Sequence, residues 1–218
     1  MRIAINKLQT GVTTLGFGHR VGIWTQGCSI QCPGCVNKDT WAFDRSGEIE
    51  VAGLLDSLAD ALRDADGVTV SGGEPCDQPE ALCELLAGLR DRCVGDILLF
   101  SGYTWPRLRA RFPQVLDLVD VVVSGPYVEA AGQSRGLRGS DNQEFHRLTP
   151  LARARYSGSL DDALSMSRPA LDLSLGDDEL WMAGIPRPRD MERFRRILAS
   201  QGYACHGSDE MPAPTTPC

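Results

Sequence analysis

Hydrophobic residues in the first half of the chain follow two alternating spacings. Short runs of mostly apolar residues occupy positions 68–71, 96–100 and 120–124. Between the runs, leucines recur at helical spacing, as at Leu54, Leu58 and Leu62. Apolar strands separated by amphipathic helices are typical of a parallel sheet that is covered by helices. The pattern therefore predicts an α/β fold, and each of these strands is followed by a small polar residue or glycine, where such folds place their ligands.

The two ends of the chain are less regular. We predict strands at 2–8 and 20–25 around a glycine-rich turn at 16–18, where two glycines flank Phe17. A late strand is expected at 179–185, and a last helix at 191–198. The remaining helices of the repeating unit are predicted at 51–62, 82–93 and 105–112.

Composition limits the function classes. The 218 residues suit one α/β domain, and the 42% apolar and 23% charged residues allow a packed core. The net charge of −7 argues against a nucleic-acid partner. No apolar run reaches the ~20 residues of a membrane span, and the first residues lack signal-peptide features. We therefore expect a cytoplasmic protein that has neither a membrane nor a nucleic-acid partner.

Three of the eight cysteines form a compact motif. Cys28, Cys32 and Cys35 have the spacing CxxxCxxC, so their thiolates can converge on an iron–sulfur cluster. Four cysteines usually ligate such clusters, and a missing fourth ligand leaves the motif incomplete or one iron open to a substrate. A structural zinc site with His19 as fourth ligand is the alternative. Incidental clustering of the three thiols is the least favoured interpretation of this motif.

A second motif follows the strand predicted at 68–71. It is Ser71-Gly72-Gly73-Glu74-Pro75, separated from Cys35 by one predicted helix. Two glycines at a strand end expose backbone groups, and a carboxylate there suits an ammonium group. On its own, the segment could equally be a turn that carries an exposed acid.

The two motifs together resemble the radical S-adenosylmethionine superfamily. The resemblance implies a partial, open (β/α) barrel in which Cys28, Cys32 and Cys35 hold a 4Fe–4S cluster. It also implies that one iron stays open to S-adenosylmethionine, whose reductive cleavage yields a 5′-deoxyadenosyl radical. The implied cofactor-binding residues are Ser71, Gly72, Gly73, Glu74 and Asn37, together with Ser101 and Ser124 for the ribose or carboxylate.

Further stretches are similar to the activating component of anaerobic ribonucleotide reductase. They include residues 16–20, 26–41, 101–105, 120–127 and 138–143. The resemblance implies that the protein installs a glycyl radical on a partner enzyme, with a low-potential electron donor such as flavodoxin or ferredoxin. Two alternatives stay open. One is a stand-alone radical enzyme acting on a peptide or metabolite, and the other is a non-catalytic iron–sulfur or zinc module.

The resemblance covers only part of the chain. We expect one radical S-adenosylmethionine domain over 1–206, with a core at 16–143 and an extension at 150–206. A proline-rich loose tail is expected at 207–218. Relatives tend to end soon after the core, so the extension leaves the substrate open.

Some remaining side chains have an ordinary structural interpretation beside a functional one. Cys76 is expected to be a small buried thiol rather than part of the site. Arg138–Gln143 is a polar loop for which the resemblance implies a role at the site. Trp41 and Trp105 could shield the cluster or cap the core, and His146 is expected to be structural.

Overall fold

The computed structural model describes residues 1–93, 95–157, 171–175, 180–187 and 189–210. The strands in these ranges are β1 (Arg2–Val12), β2 (Arg20–Thr25), β3 (Glu48–Glu50), β4 (Gly67–Gly72), β5 (Asp96–Ser101), β6 (Val121–Ser124), β7 (Glu144–Arg147), β8 (Leu171–Leu175) and β9 (Leu180–Gly184). The helices are α1 (Val51–Ser57), α2 (Ala59–Asp64), α3 (Pro79–Arg92), α4 (Trp105–Arg111), α5 (Pro113–Leu116), α6 (Pro150–Arg155) and α7 (Asp190–Ser200). Short 3₁₀ turns lie at Lys38–Thr40, Pro75–Asp77, Glu129–Ala131 and Ser208–Glu210.

The main sheet has the strand order β3-β1-β2-β4-β5-β6-β7. Its centre, β2-β4-β5-β6, is parallel, whereas β1, β3 and β7 pair antiparallel at the two sides. β8 and β9 form a separate antiparallel hairpin. The parallel centre, with helices between each pair of its consecutive strands, confirms the predicted α/β fold with a parallel sheet.

Both faces of the central strands are buried, which explains their continuous apolar runs. On β5, Ile97 and Leu99 belong to the large core formed with α1 to α5. Leu98, between them, belongs to a second cluster on the opposite face with Val121 and Tyr156. Because side chains alternate along a strand, the five-residue apolar run serves both layers.

The edges of the sheet differ from the predictions. β1 continues to Val12, four residues beyond the predicted end, across an irregularity that includes Gly11 at φ +71°. The helix predicted at 51–62 is divided at Leu58, where ψ is 0°. β3 and β7 were not predicted, because their three or four mostly polar residues carry no clear apolar alternation.

A buried ionic network joins the amino-terminal ends of β2, β4 and β5. Arg20 and Asp96 are both 0% exposed, and their charged atoms lie 3.0 Å apart. Arg20 Nε also donates to the Thr69 hydroxyl at 2.7 Å. Two residues from beyond β7 complete the network, since Arg155 lies 2.7 Å from Asp96 and the Tyr156 hydroxyl donates to it at 3.0 Å. Pairing of the buried charges ties the extension to the base of the sheet.

The end of the chain is described only in part. The helix predicted at 191–198 is observed as α7, and the predicted strand at 179–185 corresponds to β9. Of the predicted loose tail, Ser208–Glu210 forms a 3₁₀ turn, and 211–218, with Cys218, lie outside the described residues. No helix in the described ranges combines the length and apolar character required to cross a membrane.

Candidate functional site

A cavity of about 210 Å³ opens beyond the carboxyl ends of β2, β4 and β5. This is the edge at which parallel α/β folds bind ligands. Most of the site residues predicted from the sequence line it: Cys28, Cys32, Cys35, Asn37, Ser71, Gly72, Gly73, Glu74 and Ser101. The two sequence motifs, separated along the chain by one helical region, therefore meet at one cavity.

The three predicted cluster ligands lie in a loop that returns to the end of β2. Gly27 and Cys28 donate their backbone N–H groups to Thr40 and Trp41 carbonyls at 2.8 and 3.1 Å, which closes the loop at its base. Burial raises the pKa of Cys28 to about 11 and raises the pKa values of Cys32 and Cys35. Such thiols ionise readily only beside a cation, so the donor set fits an iron–sulfur cluster.

Hydrogen-bond donors already surround the sulfur atoms. The backbone N–H of Gln31 approaches Cys28 Sγ at 3.5 Å, and that of Asn37 approaches Cys35 Sγ at 3.4 Å. The side chain of Trp41, 5% exposed, also hydrogen-bonds to Cys35. Donors of this kind tune a cluster's reduction potential. Trp41 was expected either to shield the cluster or to cap the core, and it lies at the cavity.

The zinc alternative is not favoured by the position of His19. His19 precedes β2, whereas Cys28 follows it, and six extended residues span roughly 20 Å. The described residues contain no group of three His, Cys, Asp or Glu side chains able to share one metal ion. A 4Fe–4S cluster differs in this respect, because each thiolate binds a different iron.

The two glycines of the second motif are required by a close crossing of two chain segments. Gly73 donates to the Thr25 carbonyl at 2.9 Å, and Glu74 donates to the Gly27 carbonyl at 2.9 Å. A Cβ on Gly73 would approach the Gly27 oxygen to 2.1 Å. Gly72 has φ +111°, and a Cβ there would lie 2.3 Å from the Thr25 nitrogen. The glycines therefore fasten the second motif directly to the base of the cysteine loop.

Glu74 carries the one charged side chain among the described residues that line the cavity. It is fully buried, and burial raises its pKa to about 7, although three hydrogen bonds act in the opposite direction. Oε1 accepts from the Cys76 N–H at 3.0 Å and the Ser101 hydroxyl at 2.8 Å. Oε2 accepts from the Gly102 N–H at 2.7 Å. A carboxylate so desolvated gains from a bound cation.

Asp77 connects the cysteine loop to the rest of the site. Its Oδ2 accepts from the Ser29 N–H at 2.7 Å, and its Oδ1 accepts from the Ser29 hydroxyl at 3.0 Å. The Tyr103 hydroxyl also donates to Oδ1, at 2.6 Å. Ser29 follows the first cluster cysteine directly, so these contacts fix the loop against the ends of β4 and β5. Sequence reasoning missed Asp77 and Tyr103, because their role depends on a tertiary contact.

Other predicted residues lie beside the cavity. Ser124 is not among the lining residues, and its hydroxyl is 3.1 Å from His146 Nε2. His146 in turn stacks on Trp105 at 3.8 Å, so these three form a local cluster. A cofactor contact by Ser124 stays a prediction. Cys76 is 2% exposed and belongs to the main core, as expected.

The loop Arg138–Gln143 reaches the cavity through two of its residues, Gly139 and Gln143. Gln143 Oε1 accepts from the Gly139 N–H at 2.7 Å, and its Nε2 donates to the Gly125 carbonyl at 2.9 Å. One amide side chain therefore holds the loop against the end of β6. Its position agrees with the role that the resemblance implied.

Comparison with protein families supplies the assignment. Residues 14–146 match the model of the 4Fe-4S single cluster domain. The chain belongs to this family. The match confirms the predicted 4Fe–4S cluster in place of the zinc alternative.

Curated relatives share the same region. The chain is 36% identical over 142 residues to the anaerobic ribonucleoside-triphosphate reductase-activating protein of Escherichia coli strain K12, covering 61% of this chain and 91% of that protein. The protein of the same name from Enterobacteria phage T4 is 32% identical over 135 residues, covering 60% and 85%. Among solved structures, QueE from Escherichia coli aligns over 48% of this chain and 54% of its own, at 22% identity and a TM-score of 0.42.

Proposed function

We propose that the protein cleaves S-adenosylmethionine reductively and uses the resulting radical to install a glycyl radical on a partner enzyme, an anaerobic ribonucleotide reductase. The observation that carries the proposal is the meeting of Cys28, Cys32, Cys35 and Glu74 at one cavity. The relatives named as reductase-activating proteins support the same assignment.

The cofactors supply the chemistry and the chain supplies the geometry. A bound, reduced 4Fe–4S cluster would supply one electron for the cleavage of S-adenosylmethionine to methionine and a 5′-deoxyadenosyl radical, which would take a hydrogen atom from the substrate. In our proposal, Cys28, Cys32 and Cys35 hold three irons, and Glu74 accepts from the cofactor's ammonium group. Ser101 and the Gly102 N–H hold the Glu74 carboxylate in place. Asn37 and Ser71, which line the same cavity, complete the cofactor-binding set.

The lining of the cavity supports an uncharged substrate. Among its described residues, Glu74 is the single charged one, and there is neither lysine nor arginine. Phosphate and carboxylate groups of metabolites are usually bound by such cations. A glycine within a polypeptide needs none, because its Cα is flanked by neutral amides. The cavity therefore favours a protein loop over an anionic metabolite.

Several further assignments belong to the same proposal. The core at 16–143 and the extension at 150–206 act as one domain. The electron donor is a low-potential protein such as flavodoxin or ferredoxin, and the site of action is the cytoplasm, where thiols stay reduced. A proline-rich loose tail at 207–218 follows this domain.

The test uses the cluster-loaded full chain under anaerobic conditions. With S-adenosylmethionine and dithionite, it should release 5′-deoxyadenosine and methionine slowly, and an anaerobic ribonucleotide reductase from the same organism should accelerate the release. Acceleration is expected because a correctly held C–H bond makes cleavage productive. No cleavage at all would reject the radical chemistry. Cleavage that the reductase does not affect would favour the stand-alone enzyme instead.

A further inference from the structure

The hairpin β8–β9 lies outside the part of the chain that the family explains. The family match ends at residue 146, whereas the hairpin begins at Leu171. The alignment with the Escherichia coli relative covers 91% of that protein, so the remainder is too short for a counterpart of the hairpin and α7. Any contribution of the hairpin to the site therefore comes from a part of this chain that the family model and that relative do not cover.

One carboxylate fastens the hairpin to the main sheet. Asp172 on β8 accepts from the backbone N–H groups of Thr13 and Thr14, at 2.7 and 3.0 Å. It also accepts from both threonine hydroxyls, at 2.7 and 2.9 Å. Hydrogen bonds to a charged acceptor are the stronger kind, and four of them converge here. The contact is a specific anchor.

Apolar and aromatic contacts extend the anchor. Ala183 on β9 is 2% exposed and packs with Val12, Leu15 and Trp24 of the main sheet region. Lys7 Nζ lies 4.4 Å from the ring centre of Trp181 and 5.4 Å from that of Trp24, so the cation bridges the hairpin and β2. The hairpin therefore has a defined position over the face of the sheet.

This position brings the end of β9 to the cofactor cavity. Met182, Gly184, Ile185 and Pro186 line the cavity together with the cysteine loop. The Pro186 carbonyl is held by Gln133 Nε2 at 3.2 Å, which joins this stretch to the loop region after β6. Three of these four residues carry apolar side chains, and the fourth is glycine. They lie beside a lining that carries the single carboxylate Glu74.

We propose that the β8–β9 hairpin is a built-in wall of the cofactor cavity, that Asp172 positions it, and that Met182 and Ile185 restrict entry to a narrow, uncharged part of the substrate. The inference rests on the proposed function, because it specifies which substrates reach the same cavity. In this chain, part of the enclosure comes from the protein's own extension, and less of it has to come from the partner.

The width of the cavity entrance is measured by the removal of iron from the cluster-loaded full chain. Two uncharged ferrous chelators of different width, bipyridine and bathophenanthroline, compete for the iron, and the loss of absorption near 400 nm gives each rate. The rate ratio of the narrow to the wide chelator reports size exclusion and is insensitive to general instability of the cluster. Asp172→Asn removes the charge of the anchor. Met182→Ala and Ile185→Ala shorten two side chains of the wall and so widen the entrance, while the anchor stays intact.

The matched control is Leu173→Ala, which changes a neighbouring β8 side chain that is 53% exposed. We expect the ratio to fall by about fivefold or more in Asp172→Asn, Met182→Ala and Ile185→Ala, because local opening or shortening admits the wide chelator. Leu173→Ala should keep the wild-type ratio. Equal ratios in the wild type and in all variants would overturn the proposal that the hairpin walls the cavity. This result is independent of the proposed function, which fails instead when the wild-type protein does not cleave S-adenosylmethionine.

Discussion

Glu74 offers the sharpest quantitative prediction. Its carboxyl is fully buried and its pKa is about 7, against 4.5 in the unfolded chain. At pH 6 about a tenth of the protein should carry the ionised form, and at pH 8 about nine tenths. Because the ammonium of S-adenosylmethionine pairs with the ionised form, the affinity of the cluster-loaded protein should rise between these pH values by at most about tenfold, since the cofactor's own amino group begins to lose its proton near pH 8.

Replacement of Glu74 separates the charge from the shape. Glu74→Gln should weaken S-adenosylmethionine binding at pH 8 by roughly 10- to 100-fold, the effect of losing one charge-assisted hydrogen bond. It should also remove the pH dependence. Equilibrium binding between pH 6 and pH 8, followed by the change in the cluster's absorption, measures both effects. The control is Glu80→Gln, an exposed carboxyl in the first turn of α3.

The same pKa shift affects stability, with a definite sign. A raised acid pKa means that the folded state holds the proton more tightly than the unfolded state. Stability should therefore fall as the pH rises from about 4.5 to about 7, by about 3 kcal/mol from this group. Glu74→Gln should remove that slope in urea unfolding of the apo-protein.

An unchanged affinity for S-adenosylmethionine in Glu74→Gln, with the cluster intact, would refute the proposed role of Glu74. The glycine-rich motif would then be only a turn.

Three further predictions follow from the contacts of the site and the sheet. Cys28→Ala, Cys32→Ala and Cys35→Ala should each abolish the absorption near 400 nm after anaerobic reconstitution, while Cys83→Ala, on α3, should keep it; a cluster of normal content in Cys32→Ala would contradict the ligand assignment. Asp77→Ala should release Ser29 and speed the loss of iron to a chelator several-fold, while the unfolding midpoint stays near that of the wild type. An unchanged rate of iron loss would show that the cysteine loop is held in place without Asp77. Arg20→Met should lower the free energy of unfolding by about 3–5 kcal/mol, because the buried Asp96 loses a charged partner. The control Arg109→Ala, at an exposed position, should change the free energy of unfolding little. A loss below about 1 kcal/mol in Arg20→Met would mean that Arg155 compensates fully for the missing partner.

The centre of the fold could be predicted because its signals are local. The apolar runs at 68–71, 96–100 and 120–124 report burial on both faces, which occurs in a helix-covered parallel sheet. The edges could not be predicted in the same way. β7 has only four residues, and it becomes a strand because it pairs with β6. No local pattern in the sequence indicates that β7 pairs with β6.

The candidate site shows the same division. CxxxCxxC and the glycine-rich turn are visible because their chemistry requires fixed residue types at fixed spacing. The Asp77 contact with Ser29 spans 48 residues, and the Asp172 anchor to Thr13 spans 159. Contacts over such separations leave no trace in periodicity. The buried Arg20–Asp96 pair was missed for the same reason, since each residue alone resembles an ordinary surface charge.

Transfer of the hydrogen atom itself is the most direct test of the proposed function. An anaerobic ribonucleotide reductase from the same organism is prepared with glycine deuterated at Cα and mixed with the cluster-loaded protein, S-adenosylmethionine and dithionite. The account predicts one deuterium in each 5′-deoxyadenosine, measured by mass spectrometry, together with a reductase radical whose paramagnetic resonance loses the doublet seen with unlabelled glycine. Release of 5′-deoxyadenosine without deuterium, and without a radical on the reductase, would contradict the account.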